Sequence, residues 1–201
     1  LKNVVELYEV VAEEKRITEE HLKERYEKSD KHTAVSIVRP AAITGPRGRF
    51  MRIRFGLQSA LSGTLKQEKS LVYNLVAAMT AWVPVTPKWL RQYIHEDDIA
   101  GLVERLAFGP RVDGYEAFNA SPPGPAVYGK DMAKAVGKRM LPVQPWMVRL
   151  PFFVFWHLTR GKIPTAKGSW KGYSYPIAVD GGKATRVLGY RYQYESFDAF
   201  Y

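Results

Sequence analysis

The sequence contains no cysteine, and this absence excludes several kinds of covalent link and functional site. Without cysteine there is no disulfide, no thiolate metal ligand and no cysteine nucleophile. The four histidines, His21, His32, His95 and His157, lie far apart and show no paired-ligand spacing of the HExxH kind. The sequence therefore argues against a metal enzyme, and we expect no resident metal.

Long apolar segments are also lacking. The chain passes from Leu1, Lys2 and Asn3 directly into a charged helical pattern, so we expect no signal peptide. No apolar run reaches the length of about 18 residues that a membrane-spanning helix requires. These two absences predict a cytoplasmic protein.

The remaining composition is typical of a folded domain. The 201 residues are 46% hydrophobic and 13% aromatic, which suits one domain, or one domain with a small lobe. Lysine and arginine number 30 against 20 acidic residues, a net charge of +10. This excess favours an anionic partner, namely a phosphorylated substrate, nucleic acid or an anionic membrane, unless the lysines simply solvate the surface.

Short apolar segments alternate with helical patterns along the chain, which predicts an α/β fold. We predict strands at 33–38, 90–95 and 117–120. We predict one long helix or two shorter ones at 2–28, one or more buried helices at 55–83, and single helices at 99–108, 128–140, 146–160 and 182–188. Three strands are few for this length and would leave sheet edges exposed. We therefore expect a partner segment that this sequence does not contain.

The segment from Val35 to Pro46 combines an apolar strand, Arg-Pro, small residues and Gly-Pro. It resembles the strand and loop that follow the catalytic helix in extended short-chain dehydrogenases/reductases of the epimerase/dehydratase type. In that family the loop passes under the nicotinamide of NAD or NADP. The resemblance therefore implies that Pro40, Ala41, Ala42 and Ile43 line that end of the cofactor.

A second segment, Arg91 to Ala100, reads Arg-Gln-Tyr-Ile-His-Glu-Asp-Asp-Ile-Ala. It resembles the strand-to-helix junction of the same family, whose arginine holds the diphosphate in members that act on nucleotide sugars. A guanidinium suits this task because it is always charged and forks onto phosphate oxygens. The resemblance thus assigns Arg91 to substrate binding, and we expect Asp98 to fix the loop or cap the helix.

Two weaker segments, Glu116–Ala120 and Val179–Tyr190, follow in the family order. Together the landmarks resemble the C-terminal two-thirds of a family member. The resemblance implies a partial Rossmann-like sheet with a smaller, mainly helical substrate-binding lobe. Residues 1–120 would belong to the NAD(P)-binding domain, with lobe helices inserted at 50–88, and residues 121–201 would complete the lobe.

The sequence departs from the family in two places. The glycine-rich GxxGxxG turn that binds pyrophosphate is absent. The family's Tyr-x-x-x-Lys pair is also absent, because Lys15 stands where the lysine belongs and Val11 stands where the tyrosine belongs. The resemblance gives Lys15 a catalytic and ribose-binding role; the alternative is an ordinary lysine on a helix surface.

Two further features leave alternatives open. The cluster Arg47, Arg49, Arg52 and Arg54 predicts either an anion site, with Arg47 and Arg49 as substrate ligands, or a solvated loop. The aromatic run at 146–156 suits an interfacial membrane helix, the wall of a site for a bulky substrate, or a lobe core helix. No nucleic-acid-binding motif is present, so we expect no nucleic-acid partner.

The function implied by the resemblance is part of an NAD(P)-dependent epimerase/dehydratase-like oxidoreductase whose small-molecule substrate is a nucleotide-linked sugar. We expect this chain by itself to be inactive, because it lacks the pyrophosphate-binding turn. One alternative is a non-catalytic structural or binding subunit derived from the family. Another is a membrane-surface reductase with a lipid-like substrate. Peripheral membrane contact and a homodimer are the further partners left open.

Overall fold

The computed structural model describes residues 11–31, 33–45, 82–135, 137–158, 160 and 168–200, and these residues form a mixed α/β structure. The described strands are β1 Val35–Pro40, β2 Ala42–Thr44, β3 Trp82–Val85, β4 Leu90–Arg91, β5 Tyr93–His95, β6 Tyr115–Ala120, β7 Val127–Tyr128 and β8 Arg139–Pro142. The described α-helices are α1 Val11–Lys28, α2 Glu96–Phe108, α3 Gly129–Ala135, α4 Pro145–Leu158, α5 Gly182–Leu188 and α6 Ser196–Phe200. A 3₁₀-helix spans Ser169–Tyr173.

The longest strand pair is parallel and joins β1 to β6, with Val35 opposite Tyr115 and Pro40 opposite Ala120. The β-branched residues of β1 favour extended backbone. Gly114, at φ +90°, turns the chain into β6, and its carbonyl accepts a 2.9 Å hydrogen bond from the Val35 amide. A parallel pair requires a crossover between its strands, and α2 lies in the intervening chain.

The other strands also form pairs. β2 runs parallel to β5, β3 runs parallel to β8, and β4 runs antiparallel to β7. The chain passes from the first pair to the second at Ala41, whose amide donates to the Ala120 carbonyl at 2.8 Å. The next amide, that of Ala42, donates to the Gln92 carbonyl at 3.3 Å. One continuous segment, residues 35–44, therefore connects two parallel pairs.

Helix α1 packs beside β1 and β6 through three contacts. The rings of Tyr26 and Tyr115 lie 5.9 Å apart at the start of β6. Near the end of β1, the Arg39 Nε donates to the Glu19 carboxylate at 3.0 Å. The Tyr115 hydroxyl also donates to the Glu19 carbonyl at 3.0 Å. Tyr26 contacts the start of β6, whereas Glu19 contacts both Tyr115 at that start and Arg39 near the end of β1, so α1 runs roughly antiparallel to the strands.

Among the residues that the structure describes, two clusters of buried apolar side chains form the core. The first contains Val85, Trp89, Tyr93, Val127, Ala133 and Ala199. The second contains Ile94, Leu102, Phe118, Ala120, Ala184 and Leu188. Successive residues of a strand point to opposite faces, so β5 contributes Tyr93 to one cluster and Ile94 to the other. β5 therefore lies between the two clusters.

The C-terminal segment is held by buried polar side chains. The fully buried Asp98 carboxylate accepts hydrogen bonds from the amides of Gln193 at 2.7 Å and Tyr194 at 3.1 Å. The Ser196 hydroxyl, also fully buried, accepts from the Tyr93 amide at 2.7 Å. These contacts confirm that Asp98 fixes a loop, as the sequence predicts.

The structure corrects several predicted elements. The helix predicted at 128–140 ends at Ala135, because Gly137 adopts a left-handed conformation (φ +69°) and the chain continues as β8. The prediction of helix through residue 83 is wrong at 82–83, which belong to β3. Residues 55–81 of that prediction lie outside the described residues. Within the described ranges, no helix combines the length and apolar character needed to cross a bilayer.

Candidate cofactor and substrate site

The candidate site begins where the parallel strands β1 and β6 end. In open α/β sheets, ligands bind outside the carboxyl ends of parallel strands. Pro40 is the last residue of β1 and Ala120 the last of β6, and the two are opposite each other. The chain segments that leave this edge are residues 40–43 and the turn that starts at Ser121. The sequence predicts a loop at 40–43, but in the structure only Ala41 lies outside the strands, because Pro40 ends β1 and Ala42 begins β2. We call this short connection the 40–43 loop.

The loop at 40–43 is fixed through its backbone. The Ala41 and Ala42 amides are both hydrogen-bonded, as described above, and Ile43 pairs with Ile94 in the β2–β5 ladder. Ala41 packs against the second core cluster and Ala42 against the first. The Pro40 side chain is exposed and the Ile43 side chain is 44% exposed, so these two apolar side chains of the loop remain accessible.

Lys15 lies on α1, one turn before Glu19. Glu19 contacts Arg39 near the end of β1 and Tyr115 at the start of β6. Because α1 runs roughly antiparallel to the strands, Lys15 lies about 6 Å further along the helix axis toward their carboxyl ends. The Lys15 side chain is exposed. Position 11, occupied by valine, lies one further turn in the same direction.

Arg91 is the last residue of β4, and the single residue Gln92 separates it from β5. Its guanidinium is half-buried, and Nη2 donates to the Gly172 carbonyl in the 3₁₀-helix. This bond uses one of the five N–H groups of the guanidinium and restricts its orientation. Burial raises the pKa of neighbouring Tyr93 to about 12, and the Arg91 charge partly opposes that rise. Arg47 and Arg49 lie outside the described residues.

A cleft of about 320 Å³ opens at the carboxyl end of β6. It is lined by Gln92, Ser121, Pro122, Pro123, Gly124, Val179, Asp180, Gly181, Gly182, Thr185 and Tyr192. Among the residues that the structure describes, neither the Ser121 hydroxyl nor the Tyr192 hydroxyl has a hydrogen-bond partner, although both are buried. Burial raises the pKa of Tyr192, and the nearby Ser121 backbone partly offsets this rise.

The rim of the cleft is fixed by hydrogen bonds from three segments. The Gln92 side chain accepts from the Val179 amide at 2.7 Å, and the Asn119 side chain donates to the Asp180 carbonyl at 3.3 Å. The Asp180 carboxylate accepts from the Gly182 amide at 2.8 Å. This bond, together with the nearby Arg186, lowers the pKa of Asp180. The rim thus presents a carboxylate that stays ionised.

Sequence reasoning did not identify this cleft. The available signal was the turn Ser121-Pro122-Pro123-Gly124 directly after a strand, which predicts only a change of chain direction. Its partner, Asp180-Gly181-Gly182, lies 60 residues further on. A lone sequence does not show that two such distant turns meet.

The geometry defines a class of protein: a mixed α/β chain with parallel strand pairs and candidate ligand residues at their carboxyl edge. No protein-family model and no curated protein matches the sequence. Solved structures do match. UDP-glucose 4-epimerase from Bifidobacterium longum, in complex with NAD+ and UDP, is 15% identical with a TM-score of 0.54. The match covers 94% of this chain and 51% of the epimerase.

Two other epimerases are similar in structure. UDP-glucose 4-epimerase from Thermotoga maritima is 15% identical with a TM-score of 0.52, covering 92% of this chain and 48% of that one. UDP-N-acetylglucosamine 4-epimerase from Bacillus cereus is 18% identical with a TM-score of 0.50, covering 90% and 50%. At these identities the likeness shows a shared fold. The chain spans about half the length of the epimerases that it matches.

Proposed function

We propose that this chain is part of an NAD(P)-dependent epimerase/dehydratase-like oxidoreductase that acts on a nucleotide-linked sugar. The proposal is supported by the fold, which is shared with UDP-sugar epimerases, and by the 40–43 loop, which leaves the carboxyl edge of the β1–β6 pair. In this proposal residues 1–120 belong to a Rossmann-type cofactor domain, with lobe helices inserted at 50–88, and residues 121–201 belong to the substrate lobe.

The residues of this chain suit one end of the cofactor. The 40–43 loop offers a fixed, partly apolar surface for a nicotinamide ring, and Lys15 offers an ammonium to ribose hydroxyls. The pyrophosphate would require a glycine-rich turn, which this sequence lacks. When bound, the cofactor supplies a hydride acceptor and donor. The choice between NAD and NADP stays open in the proposal.

Arg91 is the proposed ligand of the substrate diphosphate. Its guanidinium is half-buried and oriented by the Gly172 carbonyl, so less conformational entropy is lost when an anion binds. The remaining fork geometry suits phosphate oxygens. Arg47 and Arg49 are proposed as additional phosphate ligands on sequence grounds alone.

A specific observation also favours a second function, that of a non-catalytic binding subunit. General acid–base catalysis needs a group that can exchange a proton. Position 11, one turn from Lys15 at the candidate edge, is a valine and has no such group. A chain that binds a nucleotide sugar without converting it would fit this residue. The third alternative is a membrane-surface reductase that acts on a lipid-like substrate.

Ligand binding by the native polypeptide tests the proposal. Isothermal titration with UDP should show binding, and Arg91→Lys should weaken it about tenfold, the equivalent of one charge-assisted hydrogen bond. Lysine keeps the charge but loses the fork. Arg25→Lys, an exposed change near the end of α1, is the matched control and should leave the UDP affinity unchanged. Equal UDP affinity in all three proteins would exclude Arg91 from the site.

Turnover separates the two candidate functions. The native polypeptide, supplied with NAD+ and a UDP-hexose, would be followed by proton NMR for epimerised or dehydrated product. Product formation that Lys15→Ala reduces supports the enzyme. UDP binding without turnover supports the binding subunit. Absence of both UDP binding and turnover would contradict both proposals.

A further inference from the structure

Helix α4, Pro145–Leu158, exposes apolar side chains over one broad sector. Its outward side chains include Trp146 (65% exposed), Leu150 (58%), Phe153 (53%) and Leu158 (74%). Consecutive residues of an α-helix are about 100° apart. At that spacing, the outward sector holds Trp146, Met147, Leu150, Pro151, Phe153, Val154, His157 and Leu158. His157 is the one polar member of this set.

The opposite side of α4 is what attaches the helix to the rest of the structure. Val148, Phe152 and Trp156, four residues apart, are half-buried, and α4 packs against the 3₁₀-helix at 169–173. At the boundary of the two sectors, the Arg149 guanidinium lies 5.6 Å from the centre of the Trp170 ring. Among the described residues, α4 therefore docks through the side opposite its exposed apolar sector.

The chain around α4 carries nearly all of the net charge. Between residues 132 and 179 there are eight lysines and arginines and no aspartate or glutamate. These are Lys134, Lys138, Arg139, Arg149, Arg160, Lys162, Lys167 and Lys171. The rest of the sequence has 22 basic and 20 acidic residues and is therefore almost neutral. The exposed apolar sector and the positive charge thus occur in the same segment.

We propose that α4 docks in the headgroup layer of an anionic membrane, with its apolar sector toward the acyl chains. An interfacial helix combines an apolar face that contains Trp, Phe and Leu with cations at the level of the lipid phosphates. Arg149 and Arg160 are exposed at the side and the end of α4, where they can reach those phosphates. Trp146, near the start of the helix, would lie at the interface, where tryptophan is favoured.

The positive charge around α4 favours a membrane over a second copy of this chain as the partner of the apolar sector. Two copies that met through α4 would bring two segments together, each with eight basic and no acidic residues, and these would repel each other. An anionic lipid surface attracts the same segments and accepts the apolar sector. The inference does not depend on the proposed enzymatic function.

Vesicle co-sedimentation of the full chain is the test. Vesicles of equal parts phosphatidylcholine and phosphatidylglycerol should bind the protein, and high salt or pure phosphatidylcholine should weaken binding strongly. The double variant Leu150→Ser/Phe153→Ser should lower vesicle affinity at least about tenfold, since two exposed apolar side chains no longer enter the lipid. Phe108→Ser/Val187→Ser, which removes exposed apolar side chains elsewhere, is the matched control and should bind like the wild type.

Two further measurements test the contribution of charge and the insertion of Trp146 into the lipid. Arg160→Gln should reduce binding roughly fivefold without touching the apolar sector. Fluorescence of the bound protein should shift to the blue and be quenched by brominated acyl chains, and Trp146→Phe should remove most of that signal. Failure of the wild type to bind anionic vesicles, or equal binding by the Leu150→Ser/Phe153→Ser protein, would overturn the proposal. So would a dimer in lipid-free solution that the same double variant dissociates.

Discussion

At the scale of single residues, Asp98 links two parts of the chain that are almost a hundred positions apart. It lies in the first turn of α2 and has no exposed surface. Its two carboxylate oxygens accept the amides of Gln193 and Tyr194, and its carbonyl accepts the Tyr190 hydroxyl at 2.8 Å. A buried carboxylate is stable only when it is hydrogen-bonded in this way.

We predict that Asp98→Asn destabilises the fold by about 3 kcal/mol, measured by urea unfolding. The amide loses the charge that strengthens both hydrogen bonds and places an N–H group against a backbone donor. Asp113→Asn is the control, because the Asp113 side chain is 85% exposed, and its unfolding midpoint should match the wild type. A midpoint for Asp98→Asn equal to that of the control would show that Asp98 does not hold the 190–194 segment.

The buried phenol of Tyr93 makes the folding stability of the protein depend on pH in the alkaline range. Burial raises its pKa from 10.0 to about 12, so the phenol ionises more readily in the unfolded chain than in the folded one. The unfolded state then binds fewer protons, and stability falls as pH rises from 10 to 12, by on the order of 2 kcal/mol. Tyr93→Phe removes this contribution. The stability difference between wild type and variant should therefore move in favour of the variant between about pH 9 and pH 11; a constant difference would contradict the assignment.

At the scale of elements, the sequence predicts what local patterns encode. The helix expected at 99–108 corresponds to the end of α2, and the helix expected at 182–188 corresponds to α5. The expected strand at 33–38 is β1, two residues later. By contrast, β3 and β8 each contain a proline, in Pro84 and Pro142, and pair across more than fifty residues. Such short strands exist because of their tertiary pairing, which one sequence does not show.

For the candidate site too, local sequence patterns identify single segments but not how these segments are arranged in space. The 40–43 loop could be located from its Arg-Pro and Gly-Pro punctuation, and Lys15 by counting back from Arg39. That Lys15 lies toward the same edge as the loop depends on α1 running roughly antiparallel to the strands, which the contacts of Glu19 and Tyr26 indicate. The roles of these residues stay predictions. The cleft beside Ser121 was not predictable, because its two turns are distant in sequence.

The junction between α5 and the turn after β6 gives a prediction at this scale. A Cβ at Gly181 would overlap the Ser121 carbonyl oxygen and lie 2.8 Å from the Ser121 backbone C and N. We predict that Gly181→Ala costs about 2 kcal/mol, because a backbone contact cannot yield without moving the helix. Gly182→Ala is the matched control. Its Cβ would meet only the exposed side-chain ends of Arg186 and Asp180, so urea unfolding should show little change. Equal costs at the two glycines would contradict this account.

At the scale of the whole molecule, the net charge is distributed unevenly along the chain, and strand β5 contributes to both clusters of the core. The basic residues concentrate at 132–179, whereas the rest of the chain is nearly neutral. Among the described residues, the core is divided into two clusters with β5 between them, and helix α6 packs on the first cluster. The Thr44 hydroxyl donates to the Ala199 carbonyl at 2.5 Å, and Ser196 accepts the Tyr93 amide. A strand that serves two clusters couples their stabilities.

We therefore predict that the two clusters unfold together. Leu102→Ala, in the second cluster, should cost about 3 kcal/mol through lost burial and the cavity left behind. In hydrogen exchange, peptides that cover Val85 and Trp89 in the first cluster should lose as much protection as peptides around Leu102 itself. The exposed substitution Val103→Ala, one residue further on, is the control and should leave protection unchanged in both. A loss of protection confined to the second cluster would mean that β5 separates two independent folding units, because each cluster would then survive the opening of the other.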